Sequence, residues 1–480
     1  MMDIALEQID DIRWRITKSG GMRVEGVIYS DRELVKALKS DGSLKQVANV
    51  AHLPGIVKAS LAMPDIHQGY GFPIGGVAAM DIKEGVISPG GVGYDINCGC
   101  RVIVSKLTSA DIQNDLDFLL DELYRTIPCG VGGTGRFHLS AKEVQGVLKK
   151  GSRWTVEKGM GEKNDLEFTE DNGVMESADP TDVSDYAIKR GQDQLGTLGS
   201  GNHFLELDRV ETIYDRETAS HFGLFENQLV IFIHSGSRGL GYQVCDDFLH
   251  QMVKHLPELP FTLPDRQLAC APVASSIGRR YFSAMSCAAN YAWANRQVLM
   301  NLAIRTFEKA LHLGPKEHGM RLLYDVCHNI AKMETHTVEG KEVKVCVHRK
   351  GATRAFPSGH PAIPKAYKDT GQPVLIPGDM GTASYILVAQ PGALEETFGS
   401  TCHGAGRVLS RSQAIKRLNK QKILNFLSGQ GIAVRARGKK ILLEEAPDAY
   451  KDIGRVVSIV EKAGISSRVA RLTPMGVIKG

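Results

Sequence analysis

Three short apolar runs in this chain each lead into a polar residue set beside a turn, and this pattern restricts the fold more than any other feature. Leu229-Val230-Ile231-Phe232-Ile233 leads into His234-Ser235-Gly236-Ser237-Arg238-Gly239. Leu322 to Cys327 leads into His328-Asn329, and Val374-Leu375-Ile376 into Pro377-Gly378-Asp379-Met380-Gly381. Short β-branched and apolar runs closed by turn residues read as buried strands. Helical patterns lie between them. Leu116, Leu119, Leu120 and Leu123 fall at i, i+3, i+4 and i+7, one face of a helix. Arg279 to Leu313 contains no Gly or Pro and reads as one long helix stopped at Gly314-Pro315, and Arg411 to Leu427 reads as another. Strands interspersed with helices specify a mixed α/β fold, in which ligands collect at the carboxyl ends of strands.

Composition narrows the class. With 42% hydrophobic and 23% charged residues, the chain is not disordered. Its formal net charge of +4 neither marks nor excludes a nucleic-acid partner, because a local basic patch would be hidden in the total. Nine cysteines at irregular spacing read as free thiols in a reducing compartment rather than a disulfide scaffold. The acidic N-terminus and the lack of any long apolar run predict no signal peptide, no membrane span and a cytoplasmic protein. The 480 residues suggest several domains by length alone, yet no Pro- or Ser-rich linker divides them. The polar stretch 142–180 reads as a surface excursion. Glycine is in excess at 51 residues, and much of the excess falls in the turns named above and in those described next.

The densest turn is Ser88-Pro-Gly-Gly-Val-Gly-Tyr-Asp95-Ile-Asn-Cys98-Gly-Cys100-Arg101. A carboxylate and a thiolate this close can share a metal, although a glycine turn around a buried thiol would look the same. His203 follows Gly199-Ser200-Gly201-Asn202 at the start of an apolar/polar alternation, so it should begin a strand. Singly, each histidine fits a structural role. Together, Asp95, Cys98, His203, His234 and His328 supply five mixed ligands, enough for one or two ions of the Zn, Mn or Fe type rather than Mg or Ca. His403, in Cys402-His403-Gly404-Ala405-Gly406-Arg407, is placed to be a metal ligand, a general acid or a nucleophile toward phosphorus. Arg238, the loop His348-Arg349-Lys350-Gly351-Ala352-Thr353-Arg354, and Arg407, Arg411, Lys416, Arg417, Lys420 and Lys422 could form a track for a nucleic-acid backbone, or simply solvated faces.

These motifs, in this order, resemble the RtcB family of RNA-splicing ligases. The likeness also takes in Met63-Pro64-Asp65-Ile66-His67, Gly201-Asn202-His203-Phe204, His348-Arg349-Lys350-Gly351-Ala352 and Pro377-Gly378-Asp379-Met380-Gly381, and spans nearly the whole chain. It implies one large mixed α/β unit, 1–480, with the topology of that family and a deep central active-site cleft. It implies an enzyme that joins a 2′,3′-cyclic phosphate or 3′-phosphate RNA end to a 5′-hydroxyl end, using GTP and two Mn²⁺ ions. By the same resemblance, Asp95 and His203 serve one ion, His234 and His328 the other, and Cys98 bridges them. His403 is the residue guanylylated. Asn202, His203, Phe204, Leu205, Glu206, His328, Asn329, Pro377, Gly378, Asp379, Met380, Ser384, His403, Gly404, Ala405, Gly406, Arg407 and Lys479 match guanylate-contacting positions. The implied partners are RNA (tRNA exon halves or broken RNA) and the activator archease, with a monomeric chain. Arg238 and Lys350 are candidate holders of RNA phosphates. The rival readings are a binuclear metal-dependent phosphatase or nuclease, and a noncatalytic RNA-binding protein.

Overall fold

A computed structural model describes residues 4–39, 41–130 and 132–480. Two large sheets organise them. One runs in the order Leu6–Gln8, Arg13–Ile16, Glu25–Tyr29, Ile56–His67, Ile74–Asp81, Lys341–Lys350, Asn329–Val338. The other runs Arg321–Cys327, Gly99–Thr108, Gln228–Ser235, Phe204–Ile213, Ser466–Lys479, Ser384–Ala389, Pro373–Ile376, with Ala433–Ala436 added parallel to Ser466–Lys479. Apart from that addition, the second sheet pairs antiparallel throughout. Its two edge strands, Arg321–Cys327 and Pro373–Ile376, pack against each other and bend it toward a barrel.

The period-two alternation of side chains explains both faces of this sheet. Cys100, Val102, Phe204, Val230, Phe232, Tyr324, Val326, Leu375 and Ile386 form the inner core. Ile103, Leu205, Leu207, Leu229, Ile231 and Ile233 face outward against Leu119, Leu120 and Leu123 of the helix Leu116–Thr126, and against Leu299 and Phe307 of the long helix. Each fully buried side chain of this size contributes about 1.5–3 kcal/mol.

The long helix, Ser276–Leu311, is capped by Ser275, whose hydroxyl accepts from Gly278 N. It stops short of Gly314-Pro315, because His312 takes a left-handed conformation at φ 54°. The expected helix 411–427 is two helices, Arg411–Arg417 and Lys420–Gly429. Asn419 breaks them, since its side chain caps the second by accepting from Gln421 N and Lys422 N. The polar stretch 142–180 is folded into the body more deeply than its composition suggests. Val144, Val147, Leu148 and Trp154 join the main core, Thr169 bridges to Asp325, and Glu170 is buried against Lys332. Among the described residues, no helix is long and apolar enough to cross a membrane. All nine cysteines are buried and free of disulfides.

Because the second sheet is antiparallel, its functional end is not made of carboxyl ends alone. It joins the C-terminal ends of Gln228–Ser235, Arg321–Cys327 and Ser466–Lys479 to the N-terminal ends of Gly99–Thr108 and Phe204–Ile213. The register sets Cys100 and Phe204 opposite His234, Gly99 opposite Cys327, and Phe204 opposite Lys479. Residues distant in sequence therefore meet at one rim.

Candidate active site

That rim carries five ligand-type side chains. Asp95 and Cys98 sit in the turn before Gly99–Thr108, which is closed by Cys98 N donating to Asp95 O and by Asn97 at φ 53°. His203 directly precedes its strand, as the alternation predicts, and His234 shares the inner face with Phe232. His328 follows Arg321–Cys327 and is tied back by its N–H to Cys98 O at 2.9 Å. The side chains form two triads that share Cys98: Asp95, Cys98 and His203, and Cys98, His234 and His328. Cys98 Sγ lies 3.3 Å from His203 Nε2 and 3.2 Å from His234 Nε2. His203 Nε2 lies 2.8 Å from Asp95 Oδ2, and His234 Nε2 3.2 Å from His328 Nε2.

The electrostatics suit a cation. Burial lowers the pKa of all three histidines and keeps them neutral, which is the ligating form. Burial alone would raise the Asp95 carboxyl, but His203 and Arg238 beside it hold it below the usual range. Burial and the neighbouring Asp95 push the Cys98 thiol well up, so a metal would have to displace its proton. His234 Nδ1 lies 3.2 Å from Asn202 O, a contact that turns Nε2 inward. Three imidazole nitrogens, a thiol and a carboxylate converging at these distances fit a transition ion in each triad.

His403 stands on the same cavity, its ring centroid 5.1 Å from that of His328. It leaves the short strand Ser400–Cys402, which pairs with Ala352–Arg354; Ala352 N in turn donates to His328 O. Its Nδ1 lies 2.5 Å from Asp65 Oδ2, and the same oxygen accepts from the N–H groups of His403 (2.8 Å) and Gly404 (3.3 Å). Burial would raise the Asp65 carboxyl, but the His403 contacts hold it low, so it is an ionised acceptor. Nδ1 is then the donor, so in the neutral ring the free lone pair is on Nε2. Gly406, at φ 72°, lies so close over Asp65 that a Cβ there would come within 2.2 Å of its carbonyl oxygen.

The cavity holds about 1010 Å³. Asp95, Cys98, Asn202, Phe204, His234, His328, Asn329, Pro377, Gly378, Asp379, His403, Gly404, Ala405, Gly406, Arg407 and Lys479 line it. Lys479 Nζ donates to Asn202 O at 3.3 Å and lies over the Phe204 ring. Glu206 is buried behind this wall with Oε1 unpartnered.

Other expected positions have their side chains engaged within the fold. Leu205 is fully buried in the outer core and Met380 in a separate cluster with Ile423 and Leu427, so neither side chain faces the cavity. Ser384 Oγ is occupied accepting from Gly378 N. The Arg407 guanidinium donates to Glu445, Tyr450 and the carbonyls of Glu444 and Leu409, and does not stand free as a phosphate fork. Of the candidate RNA-phosphate cations, Lys350 is enclosed by acceptors and Arg238 is engaged through Nε and Nη1. Lys350 Nζ is ringed by the carbonyls of Tyr70, Phe72 and Gly90, and Arg238 lies behind His203, with Nη1 3.3 Å from its Nδ1. Burial explains the Lys350 arrangement, since a cation inside the fold must find acceptors there.

The motifs alone attach no role to Asp65. An acid inside the apolar run Leu61-Ala62-Met63-Pro64-Asp65-Ile66 was the available signal.

Comparison with known proteins agrees over the full length. The family model described as tRNA-splicing ligase RtcB matches residues 46–480. A tRNA-splicing ligase RtcB from Thermococcus kodakarensis is 52% identical over 478 residues, 99% of each chain. One from Archaeoglobus fulgidus is 51% identical over 481 residues, covering all of both chains. One from Aeropyrum pernix is 49% identical over 477 residues, 98% of this chain and 99% of its own.

Proposed function

Because the chain belongs to the RtcB family of tRNA-splicing ligases, we infer that it is an RNA ligase that joins a 3′-phosphate end, or a 2′,3′-cyclic phosphate end once opened by water, to a 5′-hydroxyl end. tRNA exon halves or broken RNA are its substrates, GTP its co-substrate and archease an activating partner. The whole chain works as one catalytic unit around a central cleft. The observation that carries this reading is His403, oriented by Asp65 and facing the same cavity as two ligand triads.

An RNA 3′-phosphate is a poor electrophile, because its anionic oxygens repel a nucleophile and it has no good leaving group. Guanylylation supplies one. With Nδ1–H donating to Asp65, Nε2 of His403 attacks the α-phosphorus of GTP; the N–P bond forms as the bond to the β-phosphate oxygen breaks and pyrophosphate leaves. The Asp65 carboxylate offsets the positive charge that develops on the ring. The RNA 3′-phosphate then takes the guanylyl group from Nε2, and attack by the 5′-hydroxyl on the RNA phosphorus releases GMP. Divalent ions, Mn²⁺ in this reading, held by Asp95, Cys98 and His203 and by Cys98, His234 and His328, would neutralise phosphate charge and align the leaving group. The unpartnered Oε1 of buried Glu206 suits the N–H donors of a guanine edge. Glycines at 378, 404 and 406 let the backbone come close to phosphates.

The test is covalent labelling followed by ligation. Wild-type protein with α-labelled GTP and Mn²⁺ should form an acid-labile adduct, and His403→Ala none. Ligation of 3′-phosphate and 5′-hydroxyl RNA should fail when GTP or Mn²⁺ is left out. Metal-dependent release of phosphate with no adduct would favour a binuclear hydrolase instead.

A further inference from the structure

We propose that Arg296, in the middle of the long helix, is a positioning residue that fixes the spacing of the metal-ligating segments. The proposal rests on the reading of two ion sites sharing Cys98.

The Arg296 guanidinium is fully buried, and all five of its N–H groups are used. Nη1 donates to the carbonyls of Asn97 at 2.7 Å and Ser235 at 2.9 Å. Nη2 donates to Asn97 Oδ1 at 2.9 Å and Asp325 Oδ1 at 2.8 Å, and Nε to Asp325 Oδ2 at 2.8 Å. Two of the three acceptor residues adjoin a ligand in the chain, and the third lies on the strand that leads to one. Asn97 precedes Cys98, Ser235 follows His234, and Asp325 stands three residues before His328 on one strand. A single planar group thus ties together the three segments that carry Cys98, His234 and His328.

The fit leaves little slack. Asn97 is held at φ 53°, a left-handed conformation, by this fork and by its own Nδ2 donating to Ala289 O of the same helix at 2.7 Å. A Cβ on Gly99 would stand 3.2 Å from the guanidinium carbon. The adjacent Asn295 acts on the other side, accepting from Gly196 N and Thr197 N and donating to Ser235 Oγ. Ligands set on separate strand ends hold an ion tightly only when the groups behind them fix their positions. Lysine would keep the charge, but its single nitrogen cannot span acceptors on three segments.

Arg101 is the matched control. It is as deeply buried, stands three residues after Cys98 and also pairs with Asp325, at 2.7 Å, but its other polar partners are Gln297 and Thr169, so it bonds neither the Asn97 turn nor the His234 segment.

The experiment titrates the purified, metal-free full chain with Mn²⁺ by calorimetry and measures Tm on the same samples. Arg296→Lys should bind Mn²⁺ about tenfold or more weakly. Arg101→Lys, with a comparable fall in Tm, should keep its Kd within about twofold of wild type. Asn97→Gly keeps the left-handed backbone, removes the Oδ1 acceptor and should weaken binding as well. The proposal is overturned if Arg296→Lys binds as wild type does, or if Arg101→Lys loses as much affinity as Arg296→Lys. If Arg296→Lys does not fold, a wild-type Kd for Asn97→Gly overturns it. Failure of the wild-type chain to bind Mn²⁺ would instead count against the two-ion reading beneath it.

Discussion

Asp65 Oδ2 accepts three hydrogen bonds from the His403–Gly404 turn, one of them from the imidazole Nδ1 at 2.5 Å. In the proposed mechanism this carboxylate decides which ring nitrogen attacks. Asp65→Asn keeps the shape, but its amide can meet Nδ1 as donor and stabilise the other tautomer. The rate of the labelled histidine adduct should fall by a factor on the order of 10²–10⁴. An unchanged rate of adduct formation would remove Asp65 from the mechanism.

Cys98 belongs to both triads, while His203 and His328 each belong to one. Cys98→Ala should therefore weaken both Mn²⁺ sites, whereas His203→Ala and His328→Ala should each impair one and leave the other. Electron paramagnetic resonance of free Mn²⁺ during titration reads stoichiometry and affinity together. Two intact sites in Cys98→Ala would refute the bridging role.

Asp208 is fully buried with neither carboxylate oxygen partnered, and burial pushes its pKa up to about 8. The folded chain then holds a proton that the unfolded chain releases near pH 4. The group's contribution to stability is fully present below that pH and is lost as pH rises toward 8. Asp208→Asn should flatten the fall in Tm between pH 5 and 8 and raise Tm at pH 8. A thermal scan of both proteins across that range checks it; parallel curves would contradict it.

Lys332 is buried between Glu170 and Asp171, the latter at 2.7 Å, and so locks the polar stretch 142–180 to the first sheet. Among the described residues, Lys332→Met leaves the fully buried Glu170 with only the more distant Arg354 as an ion-pair partner. The expected cost is about 3 kcal/mol, read from urea denaturation. A loss below about 0.5 kcal/mol would mean that the pair adds little.

The element types were legible because their signals are local. The leucine face at 116–123, the uninterrupted run from Arg279, and the apolar runs ending at His234, His328 and Pro377 all form the elements their periodicity calls for. Two differences from the local pattern have different causes, one a neighbouring cap and one a distant partner. Asn419 caps a new helix inside an otherwise continuous pattern. The polar segment 142–180 is packed in because Glu170 finds Lys332, 162 residues away.

The sequence by itself determined which side chains were available: a thiol, a carboxylate, histidines at strand ends, and glycines where a backbone must come close. Tertiary structure decided what each one does. Lys350 and Arg407 read as free cations, but the fold surrounds them with acceptors. Asn295 and Arg296 read as ordinary helical residues, but both are buried and fully bonded beneath the ligand-bearing segments. The tautomer of His403 depends on a carboxylate 338 residues away. Hydrogen bonding and desolvation depend on what surrounds a group in space, and antiparallel pairing of distant strands creates surroundings that no local window of sequence contains.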